Sequence, residues 1–335
     1  MKDQSLKKVL LASLALAGVS LGPVARAAVI AENFAADPLA HGWQIFGNTN
    51  LFRWNPTNQT LEVTWDSTQS NSYFYHPLGT VLTRQDDFSL SFDLELNDIG
   101  PADDYLFSFE LALGFLNPME AIQPEFVRGA GICPDVVELA YFRADDYGDP
   151  ATVYPTCTDT NSTFNYNGYG AGDSTNYTLI VGPEYHLTLS YTAANQTLAA
   201  TVVNLAGNSS ATVIQPLAAT FTDFRVDSVS INNYSEAGQY PGFEGSILAH
   251  GIVSHLVVNV PPPPIQNLTG AFSNSLWQAQ FLSRTNWSYS LERSSDLRQW
   301  TNVVSGVSGS GTNLVLSDVT PPGDHSFYRV RTDRP

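Results

Sequence analysis

After its eighth residue the chain contains no lysine. Lys2, Lys7 and Lys8 are the only three in 335 residues, and basic residues number 15 against 32 acidic ones. Schiff-base chemistry, a PLP anchor and a lysine-based phosphate loop are therefore excluded from the rest of the chain. Charge is scarce altogether, at 14% of residues, where globular chains carry about 25%. Cysteine is limited to Cys133 and Cys157. Beyond residue 27 no run is apolar for the roughly 20 residues that a membrane-spanning helix needs. That region also lacks G-x-S-x-G, H-E-x-x-H and G-x-G-x-x-G, so no hydrolase elbow, zincin helix or dinucleotide turn is expected.

The lysines belong to a leader. They precede an apolar stretch from Val9 to Leu21, and Gly22-Pro23 leads to Ala25-Arg26-Ala27. A positive start, a short apolar centre and small residues at an A-x-A site are the parts of a secretory signal peptide, assigned here to residues 1–27. Its removal takes four of the 15 basic and one of the 32 acidic residues, leaving 11 against 31, a formal charge of −20. Such a surface repels phosphate backbones and anionic lipid, so neither nucleic-acid binding nor membrane insertion is expected. The expected location is extracellular or periplasmic.

Hydrophobic residues make up 43% of the chain, and Tyr, Phe, Thr, Asn and Gly are plentiful, which favours strands over helices. Phe88, Leu90, Phe92, Leu94 and Leu96 alternate with Ser89, Ser91, Asp93, Glu95 and Asn97, the period of a half-buried strand. Phe107, Phe109, Leu111, Leu113 and Phe115 repeat it after a turn over residues 98–104. The two runs predict a long hairpin. Residues 186–191 and 197–205 predict another, and 224–231 and 252–260 the closing strands. Pro261-Pro262-Pro263-Pro264 forms a stiff spacer. It predicts one domain over 28–260 and a second over 265–335. The expected class is all-β: a two-sheet antiparallel sandwich followed by a smaller one.

Glu184 to Tyr191 with Gln196-Thr197-Leu198 resembles a late hairpin of concanavalin A-like lectin/glucanase jelly rolls, laminin-G-like modules included. Phe224 to Ile231 followed by Gly245 to Gly251 resembles the closing strands of that family. Glu32-Asn33-Phe34 and Gly42-Trp43 resemble its opening strand. The resemblance spans most of residues 28–260 and implies a jelly-roll fold and a tendency to bind glycans. It implies no single activity, because that fold hosts lectins, hydrolases, lyases and adhesive modules. Tyr289 to Leu297, Trp300 and Phe327 to Arg331 resemble small immunoglobulin- or fibronectin-like β-modules at the ends of secreted bacterial proteins, which serve attachment or spacing.

Several residue groups could carry chemistry. Cys133 and Cys157, in an exported chain, predict a disulfide. It would close a loop of about 25 residues, contributing roughly 3 kcal/mol; two buried thiols are the alternative. Asp93, Glu95 and Glu110 have the polar parity of the predicted hairpin. Facing one another they would form the acid and nucleophile pair of a glycoside hydrolase, or else a solvated polar face. The glucanase pattern Glu-x-Asp-x-x-Glu is missing. Tyr141-Phe142-Arg143-Ala144-Asp145-Asp146-Tyr147 is similar to a Tyr-Phe-Lys-Ala-Gly-x-Tyr segment of jelly-roll alginate lyases, with Arg for Lys and Asp for Gly. That similarity implies Tyr141 and Arg143 as the lyase candidates.

Asp98, Asp103 and Asp104 share one turn, and Asp145, Asp146 and Asp149 one loop. Such oxygen donors suit Ca²⁺, the one cofactor the sequence points to. His250 and His255, five apart in a strand, are expected on opposite faces. With no C-x-x-C and no histidine cluster, zinc is not expected. Tyr73, Tyr75, Tyr166 and Tyr169, set among asparagines, are the candidate sugar-stacking rings. The function expected is a secreted carbohydrate-binding or cell-surface interaction protein, non-catalytic, whose partner is a glycan or cell-surface polymer. A polysaccharide-degrading enzyme of the same fold and a structural envelope protein are the alternatives.

Overall fold

The computed structural model describes residues 28–101, 109–128, 132–144, 150–165, 175–207, 209–237, 245–323 and 325–335. The expected leader lies outside them, as do Asp103, Asp104, Asp145, Asp146, Asp149, Tyr166 and Tyr169. The described chain divides into two compact units, 28–266 with 332–335, and 267–331. In chain order the large unit contains β1 (Ala28–Glu32), β2 (Gln44–Phe46), β3 (Phe52–Asn55), β4 (Thr60–Asp66), β5 (Ser72–Leu82), β6 (Phe88–Gly100), β7 (Glu110–Leu116), β8 (Val136–Phe142), β9 (Thr152–Thr158), β10 (Thr175–Asn176), β11 (Glu184–Thr192), β12 (Thr197–Asn204), β13 (Ser210–Pro216), β14 (Val226–Asn233) and β15 (Leu248–Val260). One helical turn, α1 (Pro118–Ala121), follows β7.

These strands form an antiparallel jelly-roll β-sandwich. The eight-stranded sheet runs β13-β12-β11-β6-β15-β4-β3, with β1 also paired to β15; the seven-stranded sheet runs β10-β9-β8-β7-β14-β5-β2. The chain crosses between the sheets repeatedly, so sequence neighbours often lie in different layers. Period two then sorts the side chains. From β6, Phe88, Leu90, Phe92, Leu94 and Leu96 are all buried. From the facing sheet come Leu111, Leu113 and Phe115, and the Phe88 and Phe115 rings meet edge to face at 5.0 Å.

The predicted hairpin of β6 and β7 does not form. β6 pairs with β11 and β15, and β7 with β14 and β8, so the two runs belong to opposite sheets. The reason lies in the second set of side chains. In β6 these are Ser and acidic residues bound for solvent. In β7 they are Glu110, Ala112, Gly114 and Leu116, and every residue of β7 is buried. A strand covered on both faces belongs in a sheet with protein on each side. Gly114 belongs to this close packing: a Cβ there would meet the Val137 carbonyl oxygen at 2.3 Å and Glu138 Cα at 2.4 Å.

No disulfide joins Cys133 and Cys157; both are buried thiols. Cys157 pairs across to Val137 and has the parity of the sandwich interior, whereas the neighbouring Thr156 accepts from Arg128 on the outer side. Cys133 lies just before β8, where its carbonyl accepts from Thr158 Oγ1 at 2.5 Å.

The small unit has β16 (Ile265–Ser273), β17 (Leu276–Ser283), β18 (Ser288–Ser294), β19 (Thr301–Ser308), β20 (Asn313–Asp318) and β21 (Phe327–Asp333). They form two three-stranded sheets, β16-β17-β20 and β19-β18-β21. Its core is modest: Ala279, Phe281, Leu282, Trp287, Tyr289, Leu291 and Leu316. Among the described residues no helix is long and apolar enough to cross a membrane.

Candidate functional site

A cavity of about 470 Å³ opens at one end of the seven-stranded sheet, lined by Phe46 and Gly47 at the end of β2, Ser70 and Asn71 before β5, residues 121–124, 126 and 127 from the end of α1 onward, and Ser235 and Ala237 after β14. Each wall has a local cause. Gly47 takes φ +82°, and a Cβ there would meet Ser72 Oγ at 2.4 Å, so glycine is required for the close approach to β5. Asn117 caps α1 by accepting from the Met119 amide at 3.1 Å. Asn71 ties two loops together, donating to the Phe126 carbonyl at 2.9 Å and accepting from the Ser235 amide at 2.8 Å.

Of the candidate rings, Tyr73 is buried at 1% exposure. It donates to the Ala121 carbonyl at 3.1 Å and stacks under Phe46 at 5.8 Å. It therefore supports the cavity from beneath rather than meeting a ligand; Phe46 and Phe126, which sequence reasoning missed, are the rings in the lining. Tyr75 is half-buried, and its hydroxyl donates to Gln44 Oε1 at 3.0 Å. Tyr141 of the lyase candidates faces Leu111 inside the sandwich, and burial pushes its hydroxyl up to about 12. Among the described residues it is buried, at 3% exposure. Arg143 is half-buried just beyond β8.

The three candidate carboxylates do not meet. Glu110 lies on the outer side of the seven-stranded sheet, sealed with Glu138 around one guanidinium. Arg128 Nε donates to Glu138 Oε1 at 2.7 Å, and Arg128 Nη2 donates to Glu110 Oε2 and Thr156 Oγ1 at 3.2 Å. Asn232 and Tyr234 donate to Glu138 Oε2 at 3.1 and 2.8 Å. The Phe164 and Tyr234 rings lie against the guanidinium at 5.0 and 5.7 Å, where cation–π attraction adds to the ion pairs. Burial, reinforced by Glu138 and opposed by Arg128, lifts Glu110 to about 8. Two carboxylates around one cation in a dry site cannot both ionise freely.

Asp93 and Glu95 lie on the outer face of the eight-stranded sheet. Asp93 faces His186 across β11, and its Oδ1 accepts from His186 Nδ1 at 2.6 Å. Its Oδ2 lies 2.9 Å from His255 Nδ1. His250, also outward, contacts Asp98 at 2.8 Å. The expectation that His250 and His255 take opposite faces is therefore overturned. A β-bulge between Ser254 and Val257 places two residues against one of β6, and His255 takes φ +47° there. Leu256 resumes the buried series while His255 stays outside, 71% exposed at its side chain. Bulges re-aim side chains in this way. Residues from three strands thus converge, which linear spacing gave no sign of.

No family model matches this chain, and no curated protein matches it. The solved structures to which it is similar include lectins. Among them are basic winged bean lectin with Tn-antigen (TM-score 0.47, 12% identity, 71% of this chain and 100% of that one) and peanut lectin with a nine-residue peptide (0.45, 15%, 70% and 98%). A third is lectin II from Ulex europaeus (0.44, 11%, 70% and 98%).

Proposed function

We propose that the large unit is an exported, non-catalytic carbohydrate-binding module whose sugar seats in the Phe46 cavity. The cavity carries this reading: about 470 Å³, with Phe46, Ser70, Asn71, Gln123 and Ser235 among the residues of its lining. A flat apolar ring flanked by amides and hydroxyls suits a sugar, whose ring stacks while its hydroxyls exchange hydrogen bonds. The hydrolase alternative needs two carboxylates across one cleft, and Asp93 with Glu95 occupies a different sheet from Glu110.

The test is a glycan array on exported protein, with and without Ca²⁺, whose intact mass should begin at Ala28. Any hit is then titrated against Phe46→Ala and Gln123→Ala. Retention of one glycan class, weakened about tenfold by Phe46→Ala, is expected from the loss of roughly 1.4 kcal/mol of ring contact. A hit that both variants bind as tightly as the parent, or that is released as reducing sugar or unsaturated product, overturns the reading.

A further inference from the structure

Among the described residues, the outer face of the eight-stranded sheet gathers acidic side chains, and its guanidinium, Arg53, is paired with Glu62 toward the β3 edge rather than with Asp93, Glu95 or Glu184. Glu95 of β6 and Glu184 of β11 are direct cross-strand partners, and Asp93 lies two residues along β6. Like charges opposed across a ladder are destabilising. With no lysine after Lys8, the side chains described against Asp93 are the imidazoles His186 and His255. One donor atom each from Asp93, Glu184 and His255 lies within 4.8 Å of the other two. Tetrahedral Zn²⁺ with bonds of about 2.0–2.2 Å holds its ligand atoms roughly 3.3–3.6 Å apart, a small side-chain adjustment from this arrangement.

We propose that Asp93 Oδ2, the Glu184 carboxylate and His255 Nδ1 bind a divalent transition metal of the zinc type. His186 acts as the positioning residue: its Nδ1–H holds Asp93 Oδ1 at 2.6 Å, which turns Oδ2 toward His255. Metal-bound carboxylates are commonly oriented by such an outer hydrogen bond. The imidazole selects against Ca²⁺, which prefers all-oxygen sites. Binding needs the Nδ1 lone pair, so the imidazole takes its Nε2–H tautomer or releases a proton. Three protein ligands on an open surface leave a position for water or for an oxygen ligand from outside. The bulge strengthens the case, because it alone brings His255 to this face.

The inference is independent of sugar binding and is tested with metal alone. Calorimetric titration of the full chain with Zn²⁺ should show one equivalent, with Ca²⁺ binding at least tenfold weaker. His255→Ala and Asp93→Asn should each weaken Zn²⁺ at least tenfold, and His186→Ala less. His325→Ala, remote in sequence and in the other unit, should leave it unchanged. Because Asp93→Asn could perturb the sheet, circular dichroism and Tm accompany each variant, and the exposed His255→Ala decides the matter. Cobalt substitution should give visible absorption bands in the parent that His255→Ala abolishes. Zn²⁺ affinity unchanged in His255→Ala, or Ca²⁺ bound at the same residues as tightly as Zn²⁺, overturns the proposal.

Discussion

The two outer faces of the sandwich use the same kinds of groups to opposite ends. On the seven-stranded sheet, Glu110 and Glu138 enclose Arg128, whose side chain is 3% exposed. On the eight-stranded sheet, Asp93 stands between two imidazoles that are 41% and 71% exposed. Burial decides the difference. In the first place an always-charged guanidinium is needed, because a buried carboxylate without a partner costs several kcal/mol. In the second, partly exposed imidazoles serve as the partners of Asp93 and stay within reach of a ligand from outside.

The contrast is broken most severely at Arg128. Arg128→Met leaves the two buried acidic groups, Glu110 and Glu138, without their cation and is expected to cost about 3–5 kcal/mol, read from urea unfolding. A loss under about 1 kcal/mol would show that the face opens to water. The next effect is in pH. Glu110, at about 8, stays protonated in the folded chain over an interval where the unfolded chain, near 4.5, releases the proton. Its contribution is complete below about 4.5 and is lost as pH rises through about 8. Asp135, lifted by burial to about 6, acts with the same sign at lower pH. Between pH 5.5 and 8.5 the Tm should fall by roughly 2–4 °C or more, taking each 1 kcal/mol as about that shift. Glu110→Gln should remove most of the part above pH 6; a parent Tm that climbs over the interval would contradict the assignment. The smallest effect belongs to the exposed pair of Asp98 and His250. His250→Ala should change stability by about 0–1 kcal/mol, and a larger loss would mean that the open face carries structural weight too.

Much of this architecture was legible in the residues. The strict alternation of β6 gave both its existence and its buried parity, and of the hairpin expected from 186–191 and 197–205, His186 to Tyr191 pair with Val203 to Leu198. What period two cannot carry is the identity of the partner. β6 and β7 looked like two arms of a hairpin because each alternates, yet Ala112 and Gly114 in the second series already marked β7 as covered on both faces. The cysteine expectation failed for a related reason: an even count and a loop length say nothing about whether two buried sulfurs meet. Tyr73 carried an aromatic signal shared by cores and sugar sites alike, and only burial separates them. His255 was missed because a bulge shifts parity by one residue and leaves no compositional mark.

That bulge also makes the surface separable from the core. Ser254 lies opposite Asp93 and Val257 opposite Ser91, with two residues set against Phe92. Omitting His255 would leave Leu256 alone against Phe92, and every buried side chain of β15 would keep its neighbour. A single three-nucleotide deletion could therefore remove the third donor without repacking the interior, and the reverse insertion could install it. The chemistry of this face is thus a modular graft, gained or lost in one genetic step, on a scaffold indifferent to its presence.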